Sequence, residues 1–364
     1  MTGNGGRRLG IALIGCGEVV RAKHLPALAR VEGAEVVALC DVDVSRRERV
    51  AAQFRIAGMC GTIDEVLARR DVDAVGVCTD PGSHPELAIA AMRSGRHVLV
   101  EKPLALSVPE CQCMIEEAGR AGVVAMAGFH MRFHRLVREV REQIRRGAAG
   151  DIKSIRLVWH SPRGDAEIPA WKTRRCQGGG ALVEIAVHHL DLVRFLTGAD
   201  IERILAFTRN GVREDEDAVI SARTTSGVLV SGEFSERSPH EIEIVVSGPK
   251  GSVRADCLRF DGLEVRSVNE IPGTPAVRLR SLLRTLRALP AGLGILRRGG
   301  DYRISYHREW AHFVEAVRTG TVPEATFADG LHASEAVAAA TESAATGSAT
   351  KVGGAERAKL DVRG

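Results

Sequence analysis

The sequence predicts an α/β protein with two sheets. An N-terminal doubly wound parallel sheet comes first, followed by an α/β domain with a large, mostly antiparallel open sheet. Three observations carry this. From Leu9 to Gly128, short apolar runs alternate with helical segments, the pattern of parallel strands joined by right-handed crossovers. Those runs are continuous rather than alternating, as in strands buried on both faces. From Ile152 onward, strand-like runs follow one another across short turns such as Thr225-Ser226-Gly227 and Pro249-Lys250-Gly251, which favours antiparallel pairing. We place the boundary after residue 130, giving domains of residues 1–130 and 131–364, the second including the C-terminal helices.

Composition narrows the function. The 364 residues suffice for two domains with sizeable cores. The net charge of +4 comes from intermixed acidic and basic residues, so no nucleic-acid partner is expected. No apolar run has the length of a membrane span, and no membrane partner is expected. Met1 to Arg8 is Gly-rich and polar without a signal-peptide apolar region, which points to the cytoplasm. The eight cysteines show neither a C-x-x-C pair nor zinc spacing, so they are expected as reduced, buried thiols and no metal is expected.

In chain order, Leu9–Ile14 is a strand running into Gly15-Cys16-Gly17-Glu18-Val19-Val20, and Leu25 to Ala29 is helical. Gly15 permits a tight turn and Gly17 lets a pyrophosphate approach the backbone. A phosphate would sit on the N-terminus of the next helix, where free N–H groups and the dipole favour an anion. Val20 stands where a third glycine would complete the fingerprint, and an ordinary strand-to-helix turn has the same outline. The next strand, Glu35 to Cys40, ends at Asp41. An acidic residue there can bind both ribose hydroxyls and repel a 2′-phosphate, which favours NAD over NADP. Arg46 and Arg47 are either a solvated helix start or a phosphate site, so NADP stays possible.

Ile63–Arg69 is a helix, Ala74–Cys78 a strand, Thr79–His84 a loop and Pro85–Ser94 a helix. His97–Val100 is a central strand that stops at Glu101-Lys102-Pro103. Ligands bind beyond the carboxyl ends of parallel strands, so Lys102 stands where chemistry is expected. Pro103 fixes the backbone as the chain leaves. Cys111–Ala121 is a helix, and Val123–Ala127 a strand ending at Gly128-Phe129-His130.

Leu136 to Gly150 is helix and turn, and Ile152–Trp159 a strand. His160 to Arg175 is polar and irregular. Trp171 within it is either a packing aromatic or a pocket wall. Gly178-Gly179-Gly180 then breaks the chain before a helix with the apolar stripe Leu182, Ile185, Ala186, His189, Leu192, Val193 and Leu196. Glu184 and His188, four apart, share another face. A carboxylate beside an imidazole raises its basicity and orients it, as a general base needs. His189 falls in the packing stripe. Strands are expected at 204–208, 218–224, 228–234, 241–247 and 253–255. Arg278 to Arg298 holds six arginines spaced by leucines; it is an exposed amphipathic helix or mobile loop, or else a phosphate clamp. Tyr306–Arg318, with Trp310 and Phe313, is a helix, and 325–345 contains another.

The chain resembles the Gfo/Idh/MocA oxidoreductases. The residues are Gly15-x-Gly17 with His24 downstream, Asp41, the Thr79–His84 loop, Gly95 to Pro103, Gly128 to Phe133, and the glycine-rich helix from Gly178 to Gly198. The resemblance implies a Rossmann domain that binds NAD. It also implies a second domain whose sheet binds substrate on one side and makes a homodimer or homotetramer. It implies cofactor contacts from Gly15, Gly17, Glu18, Val19, Asp41, Thr79, His84, Glu101, Lys102 and His130. Substrate contacts fall to Lys102, His130, Arg132, Trp171, Glu184, His188 and His189. The family's catalytic lysine matches Lys102, and its helical aspartate and histidine match Glu184 and His188. The chain departs from the family pattern in three places: Glu184 for aspartate, His130 for asparagine and Ala186 for glycine. The implied activity moves hydride between a nicotinamide and a hydroxyl-bearing carbon of a sugar, amino sugar or cyclitol. Three alternatives stay open: a nucleotide-sugar oxidoreductase, an NAD-dependent glycosidase-like enzyme, and a non-catalytic NAD-binding regulator.

Overall fold

The structure, a computed structural model, describes residues 7–162, 168–271 and 273–353. The expectations for residues 1–6, and for residues 163–167 of the irregular stretch, lie outside the described residues. The chain forms two compact units. One comprises the residues up to Phe129 together with Tyr306–Leu331. The other comprises His130–Ser305 together with the residues from His332 onward.

The first unit holds a six-stranded parallel sheet in the order β3-β2-β1-β4-β5-β6. Its strands are β1 (Leu9–Ile14), β2 (Ala34–Cys40), β3 (Met59–Cys60), β4 (Ala74–Val77), β5 (His97–Glu101) and β6 (Ala125–Gly128). The order reverses between β1 and β4, which opens a crevice at the carboxyl ends of those strands. Helices α1 (Leu25–Leu28), α2 (Val44–Phe54), α3 (Ile63–Leu67), α4 (His84–Arg93) and α5 (Val108–Ala121) connect them. Local chemistry sets the helix ends. The Asp43 side chain caps α2 by accepting from Arg46 N–H, Ser107 caps α5, and Gly122 ends α5 in the left-handed region. A π-helical turn, Val20–His24, precedes α1. The helix after the glycine turn therefore starts before Leu25, earlier than its apolar residues indicate.

Residues 306–331 were expected with the second domain, yet they pack with the parallel sheet. Gly76 in the middle of β4 leaves room for the fully buried Trp310. A Cβ at that position would lie 2.6 Å from Leu13 and 2.9 Å from the indole. Ala127 N–H also donates to the Ala325 carbonyl at 2.9 Å.

The second unit holds an eight-stranded sheet, β13-β12-β11-β7-β10-β9-β8-β14. The strands are β7 (Ser154–His160), β8 (Ile201–Arg209), β9 (Asp217–Thr224), β10 (Leu229–Ser235), β11 (Glu241–Gly248), β12 (Gly251–Asp256), β13 (Leu263–Ser267) and β14 (Thr350–Lys351). Pairing is antiparallel except between β7 and β10. Side chains of β9 and β10 alternate between buried and exposed. Helix α6 (Arg135–Arg145) packs on β12 and β13, and α7 (Val187–Thr197) on β8. Phe207, Val219 and Leu229 stand on the exposed face. The segment from Pro275 to Arg297 is one helix, α8. Helices α9 (Asp301–Thr319) and α10 (Phe327–Thr346) follow. Six cysteines are buried, but Cys113 is exposed and Cys176 partly so, contrary to the expectation of uniform burial; all eight are free thiols.

Candidate active site

At the end of β1 the chain turns through Gly15, whose φ of +93° and 2.6 Å approach of a built Cβ to the Cys78 carbonyl demand glycine. Around Gly17 a Cβ would meet nothing within 4 Å, which is open room for a ligand at the backbone. Cys16 N–H donates to Asp41 Oδ2 at 2.7 Å and Asp43 N–H to Oδ1 at 2.9 Å. The carboxylate at the end of β2 is thus held against the glycine turn. These residues fit a dinucleotide: a cradle that a side chain would fill, and an anion placed for ribose hydroxyls. Arg47 donates to the Asp41 and Cys60 carbonyls at 2.7 and 3.0 Å, which commits it to the fold. Arg46 lies 3.4 Å from Asp41 Oδ2 and is half exposed. Glu18, at the helix start, pairs with Arg21.

Lys102 follows β5, and a buried relay fixes its backbone. Glu101 Oε2 accepts the Lys102 N–H at 3.0 Å, while Oε1 lies 2.9 Å from His24 Nε2. Trp310 Nε1–H donates to His24 Nδ1 at 2.9 Å. Because Nδ1 accepts, the proton of a neutral His24 sits on Nε2 and points at Glu101. His24 and Trp310 are fully buried, so the relay is sheltered from water. Glu309 is also fully buried nearby. Burial, followed by the Glu101 charge, holds its carboxyl well above the usual range. His84 was expected to touch the cofactor, but its ring is buried between carbonyls. Nδ1 lies 3.0 Å from Pro103 O and Nε2 3.3 Å from Thr79 O. It pins the Thr79 loop to the turn after Lys102. Thr79 Oγ1 in turn accepts from Ser83 at 2.7 Å.

In the second unit, three glycines let the chain double back. A Cβ at Gly179 would lie 2.2 Å from the Lys172 carbonyl. Lys172 Nζ reaches Glu184 Oε2 at 2.9 Å and lies 4.8 Å from the Trp171 ring centroid. Glu184 lies in a π-helical turn, Leu182–Ala186, ahead of α7. His188 stacks on Trp159, with centroids 5.2 Å apart and planes at 25°, and meets the edge of His130 at 4.9 Å. Ser305 Oγ donates to the Tyr302 carbonyl at 2.7 Å, so it accepts from His130 Nδ1–H at 3.0 Å. A neutral His130 therefore carries its proton on Nδ1. Two rings thus fix the plane of the His188 imidazole before any ligand arrives.

Two expected substrate contacts lie in the packed interior instead. Arg132 Nε donates to Asp191 Oδ2 at 2.8 Å, and both side chains are almost wholly buried. His189 packs between Trp159 and Phe234, and neither ring nitrogen meets a hydrogen-bond partner among the described residues. Burial pushes its pKa down from 6.5 to about 3. The folded state therefore holds it neutral while the unfolded chain protonates it below pH 6.5. Its contribution to stability is complete above that pH and is lost as pH falls towards 3, by up to about 1.4 kcal/mol per unit. Urea unfolding of wild type and His189→Leu across this window is expected to show a shallower acid decline in the variant.

Within the first unit, Gly15, Gly17, Asp41, Thr79, Glu101 and Lys102 fall at the carboxyl ends of β1, β2, β4 and β5. Within the second, His130 precedes α6, Glu184 lies in the turn before α7 and His188 in α7 itself, together with Trp159, Lys172, Tyr302 and Ser305, which sequence reasoning missed as site residues. Trp159 was visible only as the last residue of a strand, and Lys172 stands in a run with no periodicity. Among the described residues, no group of three His, Cys, Asp or Glu is placed to hold a metal ion.

Residues 9–129 match the model of an oxidoreductase family described as having an NAD-binding Rossmann fold, and residues 137–254 match the Gfo/Idh/MocA C-terminal domain. The chain belongs to the Gfo/Idh/MocA family. It is an NAD-binding oxidoreductase by that membership. Among curated relatives, it is 28% identical over 331 residues to myo-inositol 2-dehydrogenase of Thermotoga maritima, covering 88% of this chain and 91% of that one. It is 29% identical over 347 residues to 1,5-anhydro-D-fructose reductase of Ensifer adhaerens, covering 93% and 97%. The crystal structure of an oxidoreductase domain protein from Kribbella flavida superposes with a TM-score of 0.81 at 26% identity, covering 95% of this chain and all of that one. Both Gfo/Idh/MocA modules thus match the two sheets described above.

Proposed function

We propose that the protein is an NAD-dependent dehydrogenase that acts on a hydroxyl-bearing carbon of a sugar, amino sugar or cyclitol. The observation that carries the proposal is the His188 cluster: an imidazole held by Trp159 and His130, on the same helical segment as a carboxylate paired with Lys172. Curated relatives over nearly the whole chain act on a cyclitol and on an anhydro sugar, which supports the substrate class. Bound NAD supplies the hydride acceptor, and the protein supplies orientation and proton transfer.

The Gly15–Val19 turn would hold the pyrophosphate and Asp41 the adenosine ribose. In the oxidation direction His188 removes the hydroxyl proton. The family resemblance assigns to Lys102 the stabilisation of the negative charge that develops in the reaction. The Lys172–Glu184 pair brings a donor and an acceptor together, which suits the neighbouring hydroxyls of a polyol. Glu184, paired with Lys172, acts here as a substrate-side anchor in addition to orienting His188.

The test is a nicotinamide-absorbance screen of the purified protein with NAD or NADP and a panel of sugars, amino sugars, cyclitols and nucleotide sugars. Turnover with NAD on an unphosphorylated polyol is the expected result. Bound NAD without net turnover on any member would overturn the proposal in favour of a reaction with no net redox change or of a non-catalytic NAD-binding role.

A further inference from the structure

We infer that α8 docks the protein on the surface of an anionic phospholipid bilayer. The helix runs for 23 residues, about 34 Å at the α-helical rise. It is fastened to the rest of its unit along a face that includes Thr285, Gly292 and Ile295. Thr285 Oγ1 donates to Asp261 Oδ2 at 2.7 Å, and Ile295 is buried. Gly292 packs so closely that a Cβ would lie 2.5 Å from the Phe260 ring. Arg280 pairs with Glu270 at the helix start.

A different face carries the leucines. Leu279, Leu282, Leu286, Leu289, Leu293 and Leu296 recur at spacings of three and four, one continuous stripe on a helix. Each is between 42% and 60% exposed, and Leu283 beside them is exposed as well. Six neighbouring leucines in water on one helix, which Pro290 interrupts without breaking the stripe, are far more than scattered surface apolar residues.

Charge identifies the occupant. From Pro275 to Gly300 the sequence has six arginines and no lysine, aspartate or glutamate. Arg278 and Arg297 fall along the leucine stripe itself, and Arg287 and Arg298 are exposed as well. A second copy of the chain would bring like charge to like. An antiparallel pair sets the Arg278 end of one helix on the Arg297 end of the other, and a parallel pair sets each arginine on its counterpart. An anionic bilayer complements both features. Leucines enter the acyl boundary, and guanidinium groups take lipid phosphates in bidentate geometry. The expectation of no membrane partner rested on the absence of a spanning segment. No helix among the described residues is long and apolar enough to cross a membrane, but a helix lying in the interface needs no such segment.

The test is co-sedimentation of the full chain with vesicles of phosphatidylcholine alone and of phosphatidylcholine with phosphatidylglycerol. Wild type is expected to pellet with the mixed vesicles and to be released progressively by salt. Leu282→Gln/Leu286→Gln/Leu293→Gln is expected to lose on the order of tenfold or more in partitioning, since three apolar side chains leave the interface. Arg278→Glu/Arg287→Glu is expected to pellet less at low salt and to converge on wild type at high salt. These positions face solvent, and a thermal melt of each variant checks that it is folded. Wild type that stays in the supernatant with anionic vesicles overturns the inference. So does a leucine variant that binds vesicles as wild type does. A variant that only converts a larger assembly to a smaller one on a sizing column, with no vesicle binding by wild type, assigns the stripe to a second copy instead.

Discussion

Lys102→Ala is expected to lower kcat/KM by about 10²- to 10³-fold, the loss that follows removal of one preorganised donor from a developing oxyanion. The side chain is partly buried at the carboxyl end of β5, and Glu101 Oε2 accepts the backbone N–H of Lys102. Removing the ammonium leaves that backbone hydrogen bond and the His24–Trp310 contact in place. The loss should fall on kcat. The dissociation constant for NAD, read by fluorescence titration, should change only a few-fold, since the glycine turn and Asp41 are untouched. A matching collapse in NAD affinity would show that Lys102 holds the cofactor instead of the reacting oxygen.

The second large effect is on stability. Arg132→Ala is expected to cost about 3–5 kcal/mol, because it leaves Asp191 buried without its guanidinium partner. Phe195 compounds this, as the Arg132 guanidinium lies 5.3 Å from its ring centroid. Urea unfolding checks the loss. The double variant Arg132→Met/Asp191→Leu removes both charges and is expected to recover most of it. A direct substrate role for Arg132 would appear instead as normal stability with a raised KM.

This contrast marks where sequence reasoning stopped. Arg132 follows Gly128-Phe129-His130 so closely that it reads as part of a site motif, and only its distant partner Asp191 shows that it braces the fold. His188 and His189 were separable by helical spacing alone, since one falls outside the packing stripe and one within it. The strands at 9–14, 34–40 and 97–101 were legible because burial on both faces leaves unbroken apolar runs. The strands β3, β13 and β14 were not legible: two have two residues each, and Leu263–Ser267 is mostly half exposed. The glycine turn and Asp41 were legible because backbone geometry dictates residue type there. Lys172 as the partner of Glu184, and Trp159 beneath His188, were not. Both are contacts across 12 and 29 positions, where no periodicity carries the signal. The placement of residues 306–331 against the parallel sheet was hidden for the same reason, since it depends on Gly76 making room for Trp310.

The central claim is direct hydride transfer from a hydroxyl-bearing carbon. It is tested most directly with the substrate found in the absorbance screen, deuterated at that carbon, and mass spectrometry of the reduced cofactor. NADH one mass unit heavier, at a rate that falls with Lys102→Ala and with His188→Ala, is the expected result. Unlabelled NADH, or label lost to solvent with no heavier NADH formed, would contradict it.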